Sequence, residues 1–578
     1  MARWWRNSLE RLQLQLAKQD ALFPLAVLGC AAGVLSGLII VAFRLLVEES
    51  QAALFPGGES ENFEALGWQA RMLLPLAGGL TLIAMFRWGG KGIHVLGVAR
   101  VMERMAYHQG YLKLRGLLLQ FFGAAAALIG GFSVGREGPH VYLGAAASSL
   151  MGQWMKLPNN AIRTLVGCGT AAGIAASFNT PLAGVIFALE VVMLEYSLAS
   201  FIPVILAAAS ATLVSVAVFG NSPAFDVPSM SLGDLSGVVI ILLLGIAAGA
   251  LSAGFIQLVQ TIAHHARVLQ QWQQLLLAAL IASLFGLLLP QVMGIGYDSV
   301  DHALTGSIGV LLLVVLVIGK MIATSACVGL GIPGGMIGPS LFMGAMLGSL
   351  VSHLSALAGF EVDHGLFALL GMGAMMGASL QAPLAALVAM MELTYSPGII
   401  MPGMVVVVIA SLTSSELFGK ESLFVTMLKA GGMDYTSSPV NVALSRIAVV
   451  GAMNKSFVRS DALIDKERAA ATLKTRPEWI LINAEESPFT LLRAADLASY
   501  VEREDNNEGD DKQPIDLMAI PAKRLEIHAV HIRATLLEAR ELLDQFSVEA
   551  LYVQRQIAPG IHHIYGILTR EMIESAYQ

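Results

Sequence analysis

The chain has 578 residues, of which 56% are hydrophobic and 13% charged, with a formal net charge of −7 and a mean hydropathy of +0.68. Soluble globular domains carry about 25% charged residues, so this composition excludes a soluble protein and points to a polytopic membrane protein. No basic tract suits nucleic acid, and Cys30, Cys168 and Cys327 have neither metal-ligand nor disulfide spacing.

The N-terminus, Arg3-Trp4-Trp5-Arg6 followed by Leu9, Leu12 and Leu16, predicts an amphipathic interfacial helix over residues 1–20 instead of a cleavable signal. Apolar segments then run roughly 22–47, 71–87, 115–134, 140–154, 162–176, 180–194, 201–219, 233–259, 273–290, 308–326, 335–357, 365–378, 383–394 and 399–418. Several are shorter than the roughly 20 residues a full span needs, and Gly or Pro interrupts many. They predict helices that stop at the midplane around a cavity, because irregular backbone is tolerated at membrane depth only where it is buried or lines one.

Glu137 stands between two of these segments, in Gly135-Arg136-Glu137-Gly138-Pro139. An ionisable group at this depth is costly unless it is paired, hydrated or protonated, so it marks a functional site. Pro139 suits the first turn of a helix, where its missing N–H is no loss. A helix N-terminus at membrane depth favours an anion, and Glu137 is an anion built into one.

The chain also repeats itself. Placing residues 169–190 over 371–392 gives eight identities, including Ser177/Ser379, Pro181/Pro383, Leu182/Leu384 and Glu190/Glu392. Upstream, Gly135, Gly138 and Pro139 fall over Gly335, Gly338 and Pro339. Two halves with matching Gly-Pro helix starts imply an inverted internal repeat, with two half-helix N-termini aimed at one central site. Backbone N–H groups near Met336 and Ile337, and from Gly138 and Pro139 on to Val141, would provide most of the anion coordination. They carry only partial charge and so bind without trapping. The symmetry of Glu190 and Glu392 suggests a structural role, accepting hydrogen bonds from neighbouring backbone.

Past about Leu428 the composition turns polar, and residues 431–578 read as a cytoplasmic α/β region of two similar blocks, about 440–503 and 514–578. Trp479–Ile482 and Ala550–Val553 read as strands, and Ala534–Gln545 as an amphipathic helix. Between the blocks lies an acidic linker over 502–513.

These motifs resemble the CLC family of chloride channels and anion–proton exchangers. The likeness covers about residues 20–430, and a CBS domain pair fits the remainder. It rests on the Glu137 motif, on Phe178-Asn179-Thr180-Pro181-Leu182-Ala183-Gly184, and on Gly331-Ile332-Pro333-Gly334-Gly335 through Pro339. Gly90-Lys91-Gly92-Ile93 is a weaker match to the family's first signature. The resemblance implies an all-α membrane domain of broken helices over 21–430, a homodimer with one pore per subunit, both termini in the cytoplasm, and a bacterial inner membrane. It makes Glu137 the gate: charged, it occupies an anion site; protonated, it swings out.

Three positions depart from the family pattern. Lys91 stands where most members carry a serine that touches the central anion. Phe424 stands where a tyrosine hydroxyl is usual. Val191, directly after Glu190, stands where exchangers carry a second, proton-relaying glutamate. Val191 favours the channel branch, with Glu195 either a substitute relay or a solvated helix end. Lys91 lines a vestibule, binds the anion or pairs with Glu137, or packs elsewhere. At 4 Å from an anion its ammonium would contribute about 4 kcal/mol at an effective dielectric of 20, shifting selectivity toward an anion such as bicarbonate. In the CBS-like blocks Asp496 and Thr569 each match half of an adenine-nucleotide contact set, which makes nucleotide binding doubtful. The expected function is anion transport across the lipid bilayer, channel-like and gated by Glu137, with no cofactor. The alternative is a coupled transporter for a non-chloride anion with Lys91 at the central site. A membrane hydrolase is disfavoured by the lack of nucleophile–base or metal spacing.

Overall fold

The computed structural model describes residues 16, 21–58, 60–89, 96–195, 197–221, 235–360, 362–433, 435, 439–483, 490–506, 514–558 and 561–576. The helix expected over 1–20 (residue 16 apart), Lys91 and the linker beyond residue 506 lie outside the described residues. The chain divides into two compact units, one of residues 25–154 and 162–436, the other of 1–24, 155–161 and 437–578.

The first unit is built from one series of helices used twice. The first series is α1 (Leu22–Leu54), α2 (Trp68–Gly89), α3 (Gly97–Tyr107), α4 (Leu114–Ile129), α5 (Glu137–Trp154), α6 (Asn159–Phe178), α7 (Pro181–Phe187) and α8 (Leu198–Phe219). The second is α9 (Leu235–Ala266), α10 (Gln271–Leu288), α11 (Tyr297–Leu304), α12 (Val310–Gly329), α13 (Ile337–Leu357), α14 (His364–Leu380), α15 (Pro383–Thr394) and α16 (Ile400–Leu412), followed by α17 (Leu423–Ala430). Among the described residues nine helices are long and apolar enough to cross a membrane. Helices α4, α14, α15 and the segment Pro181–Met193 are apolar but shorter. The chain is thus a multi-pass membrane protein with broken helices, as its interrupted hydropathy predicts.

Physical constraints recur with the repeat. Gly144 of α5 meets Gly169 of α6 so closely that a Cβ on either would lie 2.1 Å from the other's carbonyl oxygen. Gly344 of α13 and Gly371 of α14 do the same, at 2.3 and 2.1 Å. Only glycine lets these backbones touch, which is how apolar helices associate where lipid removes the hydrophobic drive. The turns before α7 and α15 are both left-handed, at Asn179 (φ 57°) and Gln381 (φ 54°). Each is followed by Pro181 or Pro383 at the first helical position.

Glu190 and Glu392 tie the two halves together by exchange. The Glu392 carboxylate accepts from the N–H groups of Leu182 and Ala183 (3.0 and 2.7 Å). Glu190 accepts from those of Leu384 and Ala385 (3.2 and 2.8 Å). Each carboxylate caps the start of the other half's helix, where free N–H groups and the helix dipole favour an anion. Pro at the helix start removes one donor, and the glutamate takes the next two.

The second unit holds a six-stranded sheet in the order β1-β3-β4-β6-β7-β8. It comprises β1 (Phe457–Asp461), β3 (Trp479–Asn483), β4 (Thr490–Arg493), β6 (Leu525–His531), β7 (Ala550–Ala558) and β8 (Ile561–Thr569). The pair β2 (Leu463–Ile464) and β5 (Ile515–Asp516) stands apart. β1 pairs parallel with β3 and β3 antiparallel with β4; β6, β7 and β8 repeat that pattern. A helix bridges each parallel pair (Lys466–Lys474 and Leu536–Phe546), and another follows each block (Ala494–Asn506 and Arg570–Ser575). Two β-α-β-β-α blocks joined edge to edge through β4 and β6 fit the expected CBS pair.

Candidate anion-binding site

The site is made where the two halves meet. Gly131 (φ 73°) and Gly331 (φ 86°) turn the chain after α4 and α12 into short loops that lead to α5 and α13. The loops pair as a two-residue antiparallel bridge: Gly135 N–H donates to the Gly335 carbonyl (2.8 Å) and Gly335 N–H to that of Gly135 (2.7 Å). A Cβ on Gly138 would come within 2.8 Å of Gly335 Cα. The glycines of both motifs therefore let two helix starts meet at backbone distance.

Glu137 opens α5 and is fully buried. Its Oε2 accepts from the Gly338 N–H in the first turn of α13 (3.1 Å). Its Oε1 accepts from the Tyr297 hydroxyl, the first residue of α11 (2.6 Å). The second distance is that of a charge-assisted O–H···O⁻ bond. The carboxylate belongs to one half-helix and is held by another, so both N-terminal dipoles favour it.

Beside this seat lies a cavity of about 60 Å³, several times the roughly 10–15 Å³ that one water needs by the same measure. Its wall is formed by Phe86, by 96–99 at the start of α3, by Gly138, by Val328 and 331–336, and by Phe424 and Met427. None of these fifteen described residues has a polar side chain, so the polar groups they turn to the cavity are backbone. Gly138, Met336 and Phe424, three of the residues expected at the anion site, line it. Pro139 and Ile337 lie buried in the first turns of α5 and α13 outside the lining, and Pro139 has no N–H to offer. A third helix start also contributes, Leu96-Gly97-Val98, downstream of the Lys91 segment. Gly97 (φ 74°) donates its N–H to the buried Gln120 side chain (2.8 Å). A glycine about 40 residues before Glu137 and leading into an amphipathic helix is the signal that could have located it.

Around the seat lies a charged cluster. Arg136 pairs with Glu48 (3.2 Å) and Glu61 (3.8 Å), and its guanidinium stands 5.7 Å from the Tyr297 ring centre. Glu48 also pairs with Arg44 (3.2 Å). In the connection between α1 and α2, burial first and then the negative charge and hydrogen bond of Asp298 push Glu64 up to about 7. Lys320, midway along α12, is fully buried. Its ammonium donates to the carbonyls of Val292, Gly294 and Ile295 (3.2, 2.9 and 2.9 Å). Neither Tyr297 nor Lys320 falls in a motif, yet Lys320 carries the same signal as Glu137, an ionisable group inside an apolar segment.

The remaining candidates lie elsewhere. Val191 is buried in the π-helical turn Ala188–Met193 that continues α7. That turn ends at the left-handed Leu194, so Glu195 sits past the helix and not one turn along its face. It is buried instead of solvated, and its Oε1 accepts from the hydroxyls of Ser197 and Ser200 (2.6 and 2.7 Å). In the second unit Asp496 lies in the first turn of its helix, and the Thr569 hydroxyl caps Met572 N–H (3.4 Å). A cavity of about 590 Å³ opens there between β1, β3 and the helix Lys466–Lys474, and neither residue lines it.

The description of the voltage-gated chloride channel family matches residues 77–415, well over half of the chain. The chain belongs to the CLC family. A putative chloride channel protein, ClcB-like, of Ralstonia nicotianae is 31% identical over 67% of this chain and 92% of its own. The H⁺/Cl⁻ exchange transporter ClcA of Vibrio vulnificus is 29% identical over 70% of this chain and 90% of its own. The crystal structure of a eukaryotic CLC transporter superposes with a TM-score of 0.59 at 18% identity, covering 95% of this chain and 97% of that one. As a CLC protein it is an anion transporter of the membrane, with two pseudo-equivalent helix starts converging on one site.

Proposed function

We propose that this protein moves chloride-like anions along a pathway within each subunit of a homodimer, gated by Glu137 and not coupled to protons. The observation that carries this is the seat of Glu137. A buried carboxylate takes the N–H of Gly338 beside a cavity walled by backbone, so a carboxylate and a mobile anion compete for the same type of donors. Protonation removes the charge that the two helix starts favour, and the side chain then leaves the path. Val191 supports the uncoupled reading, because a valine carries no proton. An anion preference set by Lys91, such as one for bicarbonate, would rest on a residue outside the described ones. The family and its bacterial relatives favour an inner-membrane location with both termini in the cytoplasm.

Coupled proton exchange is the second reading. The name of the Vibrio relative favours it, as does Glu195, a buried carboxylate holding two serine hydroxyls. The test is purified protein in liposomes under an outward chloride gradient, with chloride efflux and external pH followed together. Chloride efflux without uphill proton movement is expected. Proton movement against its gradient in fixed ratio to chloride would replace the uncoupled reading with exchange.

A further inference from the structure

We infer that Tyr297 is a latch on the gate and that Lys320 is the positioning residue that sets it, an inference resting on the gating role of Glu137. An ammonium has three N–H donors, and all three of Lys320's are spent on consecutive stretches of one loop, the carbonyls of Val292, Gly294 and Ile295. That loop bends through left-handed Gly294 (φ 54°) and Gly296 (φ 85°). It delivers Tyr297 as the first residue of α11, with its hydroxyl 2.6 Å from the Glu137 carboxylate. The Phe342 ring of α13 closes the lysine in, 4.7 Å from Nζ, and a Cβ on Gly296 would lie 2.9 Å from that ring. The loop therefore runs into the Phe342 ring if it moves toward α13, and loses hydrogen bonds if it moves away from the ammonium.

Helix α12 acts on both partners of the latch. One turn beyond Lys320, the Thr324 hydroxyl bonds Ser133 (2.9 Å), two residues before the bridge that positions Glu137. One rigid helix thus indexes the loop bearing the gate and the loop bearing its hydroxyl partner. A fully buried charge is expensive to keep in place of an apolar residue, and among the described residues Lys320 pairs with no carboxylate; its three bonds all serve the loop.

The latch stabilises the charged, seated carboxylate, because the tyrosine hydroxyl donates to it. Tyr297→Phe should therefore let the gate protonate at about tenfold lower proton concentration, moving the pH of half-maximal chloride flux up by roughly one unit. The other charged groups about the seat (Arg136, Glu48 and Glu61 around the motif, His140 on α5, Asp298 on α11, Glu64 beside it) are untouched by this change, so any pH dependence they add is common to both proteins. Lys320→Gln should move the midpoint the same way, and Tyr297→Phe/Lys320→Gln no further than Tyr297→Phe alone. Where Lys320→Gln does not fold, Lys320→Arg, which keeps the charge but must displace the loop, makes the same comparison. Chloride flux of each variant in liposomes across pH 5–8, with Glu137→Gln alongside, decides the matter. If Glu137→Gln abolishes the pH dependence and Tyr297→Phe leaves the midpoint at the wild-type value, the latch is wrong. If the double variant shifts by the sum of its parts, Lys320 acts on the gate by charge and not through Tyr297. If Glu137→Gln keeps the wild-type profile, the gating reading fails instead.

Discussion

Glu137 was legible because a charge in an apolar chain has to be explained, and Gly138 and Pro139 showed which kind of helix end it occupies. Its partners were not legible in the same way. The Tyr297 hydroxyl reaches Oε1 from 160 residues away, through a loop whose shape depends on Lys320. No local pattern encodes a contact of that range. Phe424 lies between these cases. Its place in the chain marked it, and the structure sets it in the cavity wall, in edge contact with Phe187 (6.3 Å, interplanar angle 88°). In the proposed function, a ring without a hydroxyl offers the anion no side-chain donor at this position. Phe424→Tyr should add one neutral hydrogen bond, about 1 kcal/mol, and so tighten chloride binding roughly fivefold by isothermal titration. Unchanged affinity would mean that the anion does not rest against this ring.

At the scale of elements, the repeat carried most of the fold. Pro181 and Pro383 marked helix starts, and the shortness of the segments around them marked helices that do not cross. The glutamates ending the equivalent segments suggested backbone capping, but not that each would cap the opposite half, because the exchange depends on how the halves interlock. That interlock makes a prediction. Glu190→Ala and Glu392→Ala each leave two helix-start N–H groups without their carboxylate, costing on the order of 1–3 kcal/mol. Thermal unfolding in detergent should show comparable losses for the two variants, with the pH midpoint of flux unmoved. A midpoint shift with only one of them would give that glutamate a part in transport. The start of α3 went unmarked in the sequence: the backbone enters that helix at Gly97, where a left-handed φ and the Gln120 carboxamide, 23 residues on, fix the turn.

For the whole molecule, composition separated a membrane part from a polar C-terminal part, and each has its own repeat. The membrane unit brings equivalent glycine motifs together as Gly135 and Gly335. The second unit joins two β-α-β-β-α blocks through β4 and β6. In the proposed function, what the membrane unit does turns on the carboxylate seated between its halves. The most direct measurement is chloride efflux from liposomes as a function of pH for the wild type and Glu137→Gln. A neutral side chain of the same size cannot compete with an anion for the two helix starts. Flux in Glu137→Gln should therefore be at least as fast as wild type and flat from pH 5 to 8, while wild-type flux rises with acid. A Glu137→Gln profile that follows the wild type would contradict the account.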